Sequence, residues 1–386
     1  MLSGGMAAAT IFSFAMGVLA PVLVEEVGLS RVQVGMVVAI YFLVGTVLSP
    51  GSGSAVDVFG GWRLLFALFV ASAGAMVMLS LAPGVAVMIL AAVIAGVALG
   101  ISNPVTNKVL VQGIEPRHRG WVMGIKQTGS YVGAMVSGSL LPLLLTVMGW
   151  RAASMLLAVP MLGLAVPAYR RMGRRENSPS PRSSIRWGLR MDGQAYLKWL
   201  LIYGVFIGLA MAAVYTYLPL YAVEALQLSL QVSGFAMTVV GGAGITARLL
   251  VGWLTPRITS APALMGAVGL APVAAVSLLF WHGPLSATAA LMVAAVMFGV
   301  SGGAWSVLAN IVLLQRANIE QTGTASGIVQ VGFTVGLFAN AVGFGAFADL
   351  TGSYEVGWGT VALAFLVAGI VGFGWHFQEG MAITTD

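Results

Sequence analysis

Residues 119–146 read RGWVMGIKQTGSYVGAMVSGSLLPLLLT. The stretch exceeds the about 20 apolar residues a helix needs to cross the hydrocarbon of a bilayer, and one ionisable side chain, Lys126, stands well inside it. The chain repeats this text near its other end. Gly120, Gly124, Ile125, Gln127, Gly129, Val132 and Gly133 correspond, at a constant offset of 203 residues, to Gly323, Gly327, Ile328, Gln330, Gly332, Val335 and Gly336. The same offset pairs Asn107 with Asn310 and Gly149 with Gly352. Chance matches glycines in a glycine-rich chain, but it does not also hold an Ile, a Gln and an Asn in register without gaps. The two halves are copies of one ancestral unit.

Working outward from this stretch, polar breaks divide the chain into twelve apolar segments: 5–24, 32–54, 64–82, 85–110, 119–146, 151–170, 198–222, 229–254, 260–281, 285–313, 322–348 and 355–377. The first segment lacks a basic leader and reads as a span, not a removed signal peptide. The expected fold is an all-α membrane protein, twelve transmembrane helices in two pseudo-symmetric six-helix bundles. Residues 1–170 form the first bundle, 171–197 a basic linker and 198–386 the second. Composition agrees. Of 386 residues 59% are hydrophobic and 8% charged, a third of the roughly 25% that wets a soluble surface, and the mean hydropathy is +0.96. Long unalternated apolar runs exclude a transmembrane barrel.

Charge sets the expected orientation, because Lys and Arg of short loops stay on the cytoplasmic side. With the N-terminus inside, Arg63, Lys108, Arg117, Arg119, Arg257, Arg316 and the linker run from Arg170 to Lys198 fall on the inner side. The outer loops receive Arg31 and Arg151 beside Glu25, Glu26, Glu224, Asp349 and Glu355. Both termini are therefore expected in the cytoplasm, in a cell inner (plasma) membrane, with the basic clusters against anionic lipid headgroups. That placement accounts for the net charge of +6 without nucleic acid. With no cysteine and three separated histidines, no metal or redox cofactor is expected. No nucleophile, base and orienting group fall together, so an enzyme is not expected either.

Two six-span repeats joined by a basic linker are the plan of a carrier that exposes a midplane site to each side in turn. The segment from Gly53 through Asp57 and Gly60 to Arg63 resembles the loop signature of the major facilitator superfamily, G-x-L-x-D-x-x-G-R-[KR], with Val58 and Gly61 where basic residues are usual. The second copy, Gly252 to Arg257, carries Pro256 at the acid position. The resemblance implies that Asp57, with Gly53, Gly60 and Arg63, serves gating, not cargo binding.

An ionisable group at the centre of a span costs about 2.5 to 3.5 kcal/mol on insertion scales, so each is a functional candidate. Two lie well inside: Lys126 in the fifth span and Arg248 in the eighth. Every acid lies in a loop, a tail or at a span end, so neither cation has an evident carboxylate partner. An unpaired buried cation is disfavoured, and the simplest partner in a carrier is an anionic cargo. Each is about 10 Å from an interface, within partial reach of a snorkelling side chain; Lys108, nearer its span end, reads as a snorkelling cation. Gly241, Gly244 and Gly252 share the face of Arg248, and Gly129, Ser130 and Gly133 that of Lys126. Small residues on these faces leave room for a ligand or for close helix packing. Gln127 and Gln330, Asn107 and Asn310, and Asn103 and Asn340 could donate to an anion, while Tyr41, Tyr131, Tyr215, Tyr217, Trp305 and Phe333 could wall the cavity.

The segment Ala247-Arg248-Leu-Leu-Val-Gly252 resembles the eighth span of monocarboxylate porters and of the oxalate/formate exchanger, where an Arg four residues before a Gly binds a carboxylate. Proton-coupled animal members place an Asp where this chain has Gly244. The resemblance implies a secondary transporter of a small organic anion, a carboxylate above all, driven by proton linkage or anion exchange and acting as a monomer. The competing expectations are efflux of amphipathic drugs or metabolites, for which an embedded acid would be usual, and transport of an inorganic anion such as nitrate or cyanate.

Overall fold

The computed structural model describes residues 1–115, 118–172, 195–281, 285–316 and 322–384. Most of the linker expected at 171–197 lies outside them, as do Arg117 and His282. The described residues form eleven long helices: α1 (Leu2–Val27), α2 (Arg31–Phe59), α3 (Gly61–Ser80), α4 (Val85–Gly113), α5 (Arg119–Arg171), α6 (Ala195–Glu224), α7 (Leu230–Leu254), α8 (Ala261–Phe280), α9 (Ala287–Arg316), α10 (Thr322–Thr351) and α11 (Glu355–Thr384). All eleven are long and apolar enough to cross a membrane. The count differs from the expected twelve because the fifth and sixth spans run together in α5. The helix breaks at Gly149, with φ 72° and ψ 167°, a conformation essentially confined to glycine. Its repeat counterpart Gly352 also has positive φ, 65°, between α10 and α11.

Sequence explains the ends. Ser30 caps α2 reciprocally with Gln33, and Ser229 and Ser260 accept from the first turns of α7 and α8, which satisfies donors that a helix start leaves without partners. Gly60, at φ 89°, is the single residue that turns α2 into α3.

The helices of each half pack on one another, and the two halves meet mainly through α1 with α6, α2 with α10 and α5 with α7. Glycine makes these approaches possible, and the duplication is legible in how it does so. Carbons added at Gly129 and Gly133 of α5 would strike the α1 carbonyls of Ser3 and Ala7, and at Gly332 and Gly336 of α10 the α6 carbonyls of Leu201 and Val205. At the two outer seams, Gly35 of α2 meets the Ala341 carbonyl of α10 as Gly234 of α7 meets the Gly138 carbonyl of α5. Backbone contact of this kind is how helices associate where lipid removes the hydrophobic drive.

Candidate substrate-binding site

Asn103 and Asn107 stand one turn apart on α4 and so face the same neighbour. That neighbour is Lys126 of α5, fully buried, whose Nζ donates to Asn107 Oδ1 at 2.6 Å and Asn103 Oδ1 at 3.2 Å. The cation therefore does not turn toward lipid. It holds two neutral oxygens, and no carboxylate among the described residues pairs with it.

Arg248 reaches across from α7 in the other half. Its Nη1 donates to the backbone carbonyl of Gln127, the residue after Lys126, and its Cζ lies 4.7 Å from the Tyr131 ring centroid. Its Nε is buried without an acceptor. Tyr131 Oη is 3.3 Å from Tyr215 Oη of α6, so one phenol donates to the other and the accepting phenol has a proton left over. Edge-on contact with Phe14, ring centroids 5.0 Å apart, seats Tyr215 against α1.

The small faces around the cations are filled, except at Gly252, where an added carbon meets nothing within 4 Å. Gly129 and Gly133 are occupied by α1, and a carbon added at Gly244 would lie 2.6 Å from the Tyr131 ring. Of the two uses open to these stripes, the structure shows packing. It also explains why Gly244 carries no acid: the aromatic platform for Arg248 stands there.

The remaining candidates are dispersed. Gln127 contributes its carbonyl, while its side chain has no hydrogen-bond partner among the described residues. Gln330 and Asn310 are exposed and likewise have none; the residue in register with Lys126 is Val329, so Asn310 has no amine to hold. Trp305 is buried against Phe333 and Tyr203, ring centroids 4.8 and 6.5 Å away. Tyr41 is fully buried and donates to the Ala9 carbonyl at 2.8 Å, joining α2 to α1. Asn340 donates to the Leu209 carbonyl, and the single Tyr217 hydroxyl proton is shared between the carbonyls of Ala341, at 2.6 Å, and Arg31, at 3.0 Å.

The end of the molecule that carries the chain termini holds the loop residues. Asp57 Oδ1 lies 2.6 Å from Lys108 Nζ, so Lys108 is an ion-pair partner where snorkelling is expected from sequence. Gly53 faces open space, Gly60 makes the turn and Arg63 opens α3. Gly53, Asp57, Asn107 and Lys108 share a cleft of about 330 Å³ with Val56, Pro104 and Val111. Asn107 thus lines the cleft and also holds Lys126.

The far end carries a cluster that sequence reasoning does not assemble. Arg31 of α2 pairs with Glu224 of α6 at 2.5 Å and Asp349 of α10 at 3.5 Å, and Asp349 accepts the Arg31 and Val32 backbone N–H groups. Tyr354 donates to Glu224 at 2.7 Å; burial, with Glu224 beside it, pushes this phenol above its ordinary range. The available signal was the charge count, which puts Arg31 and these acids on one side. Among the described residues, side-chain hydrogen bonds between the halves run from this cluster inward through Thr238 on the Met135 carbonyl and Tyr131 with Tyr215 to Arg248 on Gln127. Arg248 makes the one nearest the terminal end.

Comparison with known proteins agrees with this architecture. The chain is 25% identical over 384 residues to a probable sulfoacetate transporter, SauU, of Cupriavidus necator, covering 91% of this chain and 85% of the relative. It is 32% identical over 144 residues to probable anion transporter 6 of Oryza sativa subsp. japonica, a match covering 36% of this chain and 33% of that one. Two solved structures share the fold. A bacterial homologue of the human lysosomal transporter Spinster, inward-facing and occupied, superposes with a TM-score of 0.72 at 15% identity, covering 96% of this chain and 94% of the other. A D-xylose–proton symporter gives 0.75 at 16% identity, covering 96% and 95%. Residues 1–341 match the family model of the Major Facilitator Superfamily. The chain belongs to that superfamily, a multi-pass membrane transporter and not an enzyme.

Proposed function

We propose that the protein moves a small organic anion, a carboxylate or sulfonate, by alternating access, with Arg248 and Lys126 as its binding cations. One observation carries this reading: the cluster between the halves offers donors and almost no free acceptors. Lys126, the unpaired Nε of Arg248, the remaining phenol proton and the Asn103 and Asn107 amide N–H groups lie on neighbouring helices, and no described carboxylate pairs with either cation. Buried positive charge of this kind is costly until an anion joins it. The planar fork of Arg248 suits a carboxylate, which it can meet bidentately. The names of the two relatives, both anion carriers, support the same class.

In this scheme residues 1–170 and 198–386 rock as bundles joined by the basic linker, with the terminal end in the cytoplasm. The Arg31 cluster seals the outer side, and the cleft beneath Asn107 leads toward Lys126 from the cytoplasm. Asp57 and Lys108 hold α2 to α4 beside Gly53, Gly60 and Arg63, where the inner gate would close. Transport is coupled to protons or to a counter-anion; uptake into proteoliposomes driven by an imposed pH gradient supports the first, and uptake that requires an internal anion the second. Drug efflux is disfavoured because the embedded charge repels the cationic compounds such pumps take.

The test of the class is uptake by Arg248→Ala and Arg248→Lys in proteoliposomes, with a thermal-shift screen of purified protein. Both variants should lose uptake at normal membrane expression. Anions should raise the melting temperature and lipophilic cations should not. Wild-type uptake by either variant removes Arg248 from the site.

A further inference from the structure

We infer that the cargo is a two-headed dianion, one acidic group held by Arg248 and the other by Lys126. The inference rests on the anion reading above and adds the number of charges and their placement. Lys126 belongs to α5 in the first half and Arg248 to α7 in the second. Their present partners are all neutral: two amide oxygens for the amine, and one carbonyl and one phenol ring for the guanidinium. Two positive charges therefore meet at adjacent residues of α5, Lys126 fully buried and Arg248, on the Gln127 carbonyl, partly so. A monoanion cancels one of them and leaves the other stranded, whereas a dianion cancels both, which favours it strongly where the dielectric is low.

The two heads are met differently. Arg248 already spans the gap through the Gln127 carbonyl, a neutral acceptor that an anionic oxygen can displace, because charge-assisted hydrogen bonds are roughly twice as strong as neutral ones. Lys126 is a compact point charge, and the Asn103 and Asn107 amides beside it bring further N–H donors, so a second head can receive several hydrogen bonds at once. A molecule gripped by both ties one half of the transporter to the other. A single-headed acid can satisfy only one half, and so contributes less to drawing the halves together.

The test compares matched acids on the full-length purified protein. Acetate and methanesulfonate serve as monoanions, malonate and sulfoacetate as dianions, all at equal concentration and neutral pH, with affinity read by calorimetry and thermal shift. In the wild type the dianions should bind at least about tenfold tighter. In Lys126→Met the ratio of dianion to monoanion affinity should fall to about one, and in Lys126→Gln likewise, which covers the case that one variant folds poorly. Equal binding of both sets by the wild type overturns the inference while leaving the anion reading intact, as does a dianion preference that survives loss of Lys126. If no anion of either set binds, the anion reading itself fails and takes this inference with it.

Discussion

The far end and the middle of this protein solve the same electrostatic problem in opposite ways. At the far end the cation is Arg31, and the facing half supplies Glu224 and Asp349 to meet it. In the middle the cations are Lys126 and Arg248, and the protein meets them with amides, a carbonyl and an aromatic face. Charge paired within the protein makes a lock, because its stabilisation is present whatever else is bound. Charge left unpaired makes a site, because its stabilisation arrives only with the ligand.

The sharpest way to break this contrast is to give the middle what the far end has. Asn107→Asp alters no shape and places a carboxylate 2.6 Å from Lys126 Nζ. It should lower anion uptake by about a hundredfold, since close buried charge pairs are worth a few kcal/mol, without lowering the melting temperature. Preserved uptake in Asn107→Asp would mean that the unpaired state of Lys126 is not what the cargo reads.

The converse change weakens the lock. Glu224→Gln removes the charge that faces Arg31, and opening of the far-end seam should become more frequent. Because the chain has no cysteine, a single Thr238→Cys at the α5–α7 seam reports opening without background. Maleimide labelling of that cysteine in purified protein should quicken about threefold to fivefold in the Glu224→Gln background, the range expected of a partly exposed pair. An unchanged rate would show that the apolar seam alone holds the end shut.

Asp57→Asn lies a step lower in effect. Its bond to Lys108 joins two helices of the same half and is exposed, with side-chain accessibilities of 51% and 40%, so turnover should slow about twofold to fivefold while anion affinity stays put. A change in affinity instead would place Asp57 in the binding site and not at the gate.

How far each feature could be read beforehand follows from the same physics. The spans and the duplication rest on run length and register, which are properties of the chain itself, and the break at Gly149 falls between the fifth and sixth apolar segments. That acids are few and all lie toward segment ends, away from Lys126 and Arg248, is also legible in the chain. Reasoning by symmetry reaches less far. Gln330 and Asn310 were drawn in as counterparts of Gln127 and Asn107, but α10 carries Val329 in place of Lys126, so the second copy keeps the helix and lacks the charge. Tyr41 and the glycine faces are ambiguous in sequence for a related reason: at a given depth a phenol or a small face serves a neighbouring helix as well as a ligand, and only the packing partner decides. The Arg31 cluster joins residues from three helices far apart in sequence, a meeting that charge counting can place on one side but not bring together.

Symmetry does hold in the backbone, and the smallest predicted effect tests that. Gly149 and Gly352 are equivalent in the repeat and both sit at positive φ, 72° and 65°. Nothing lies within 4 Å of a carbon added at either, so the cost of a side chain there is conformational and not steric. Gly149→Ala and Gly352→Ala should each destabilise the protein by about 1 to 3 kcal/mol, and by similar amounts, read as parallel falls in melting temperature. Gly163 has equally open surroundings but an ordinary helical backbone. There alanine should raise stability by about 0.5 to 1 kcal/mol, the usual gain over glycine inside a helix. Opposite signs at Gly149 and Gly163 would attribute the break in α5 to its dihedral angles. Unequal costs at Gly149 and Gly352 would show that the two copies have diverged in their turns as well as in the charge that Lys126 carries and Val329 does not.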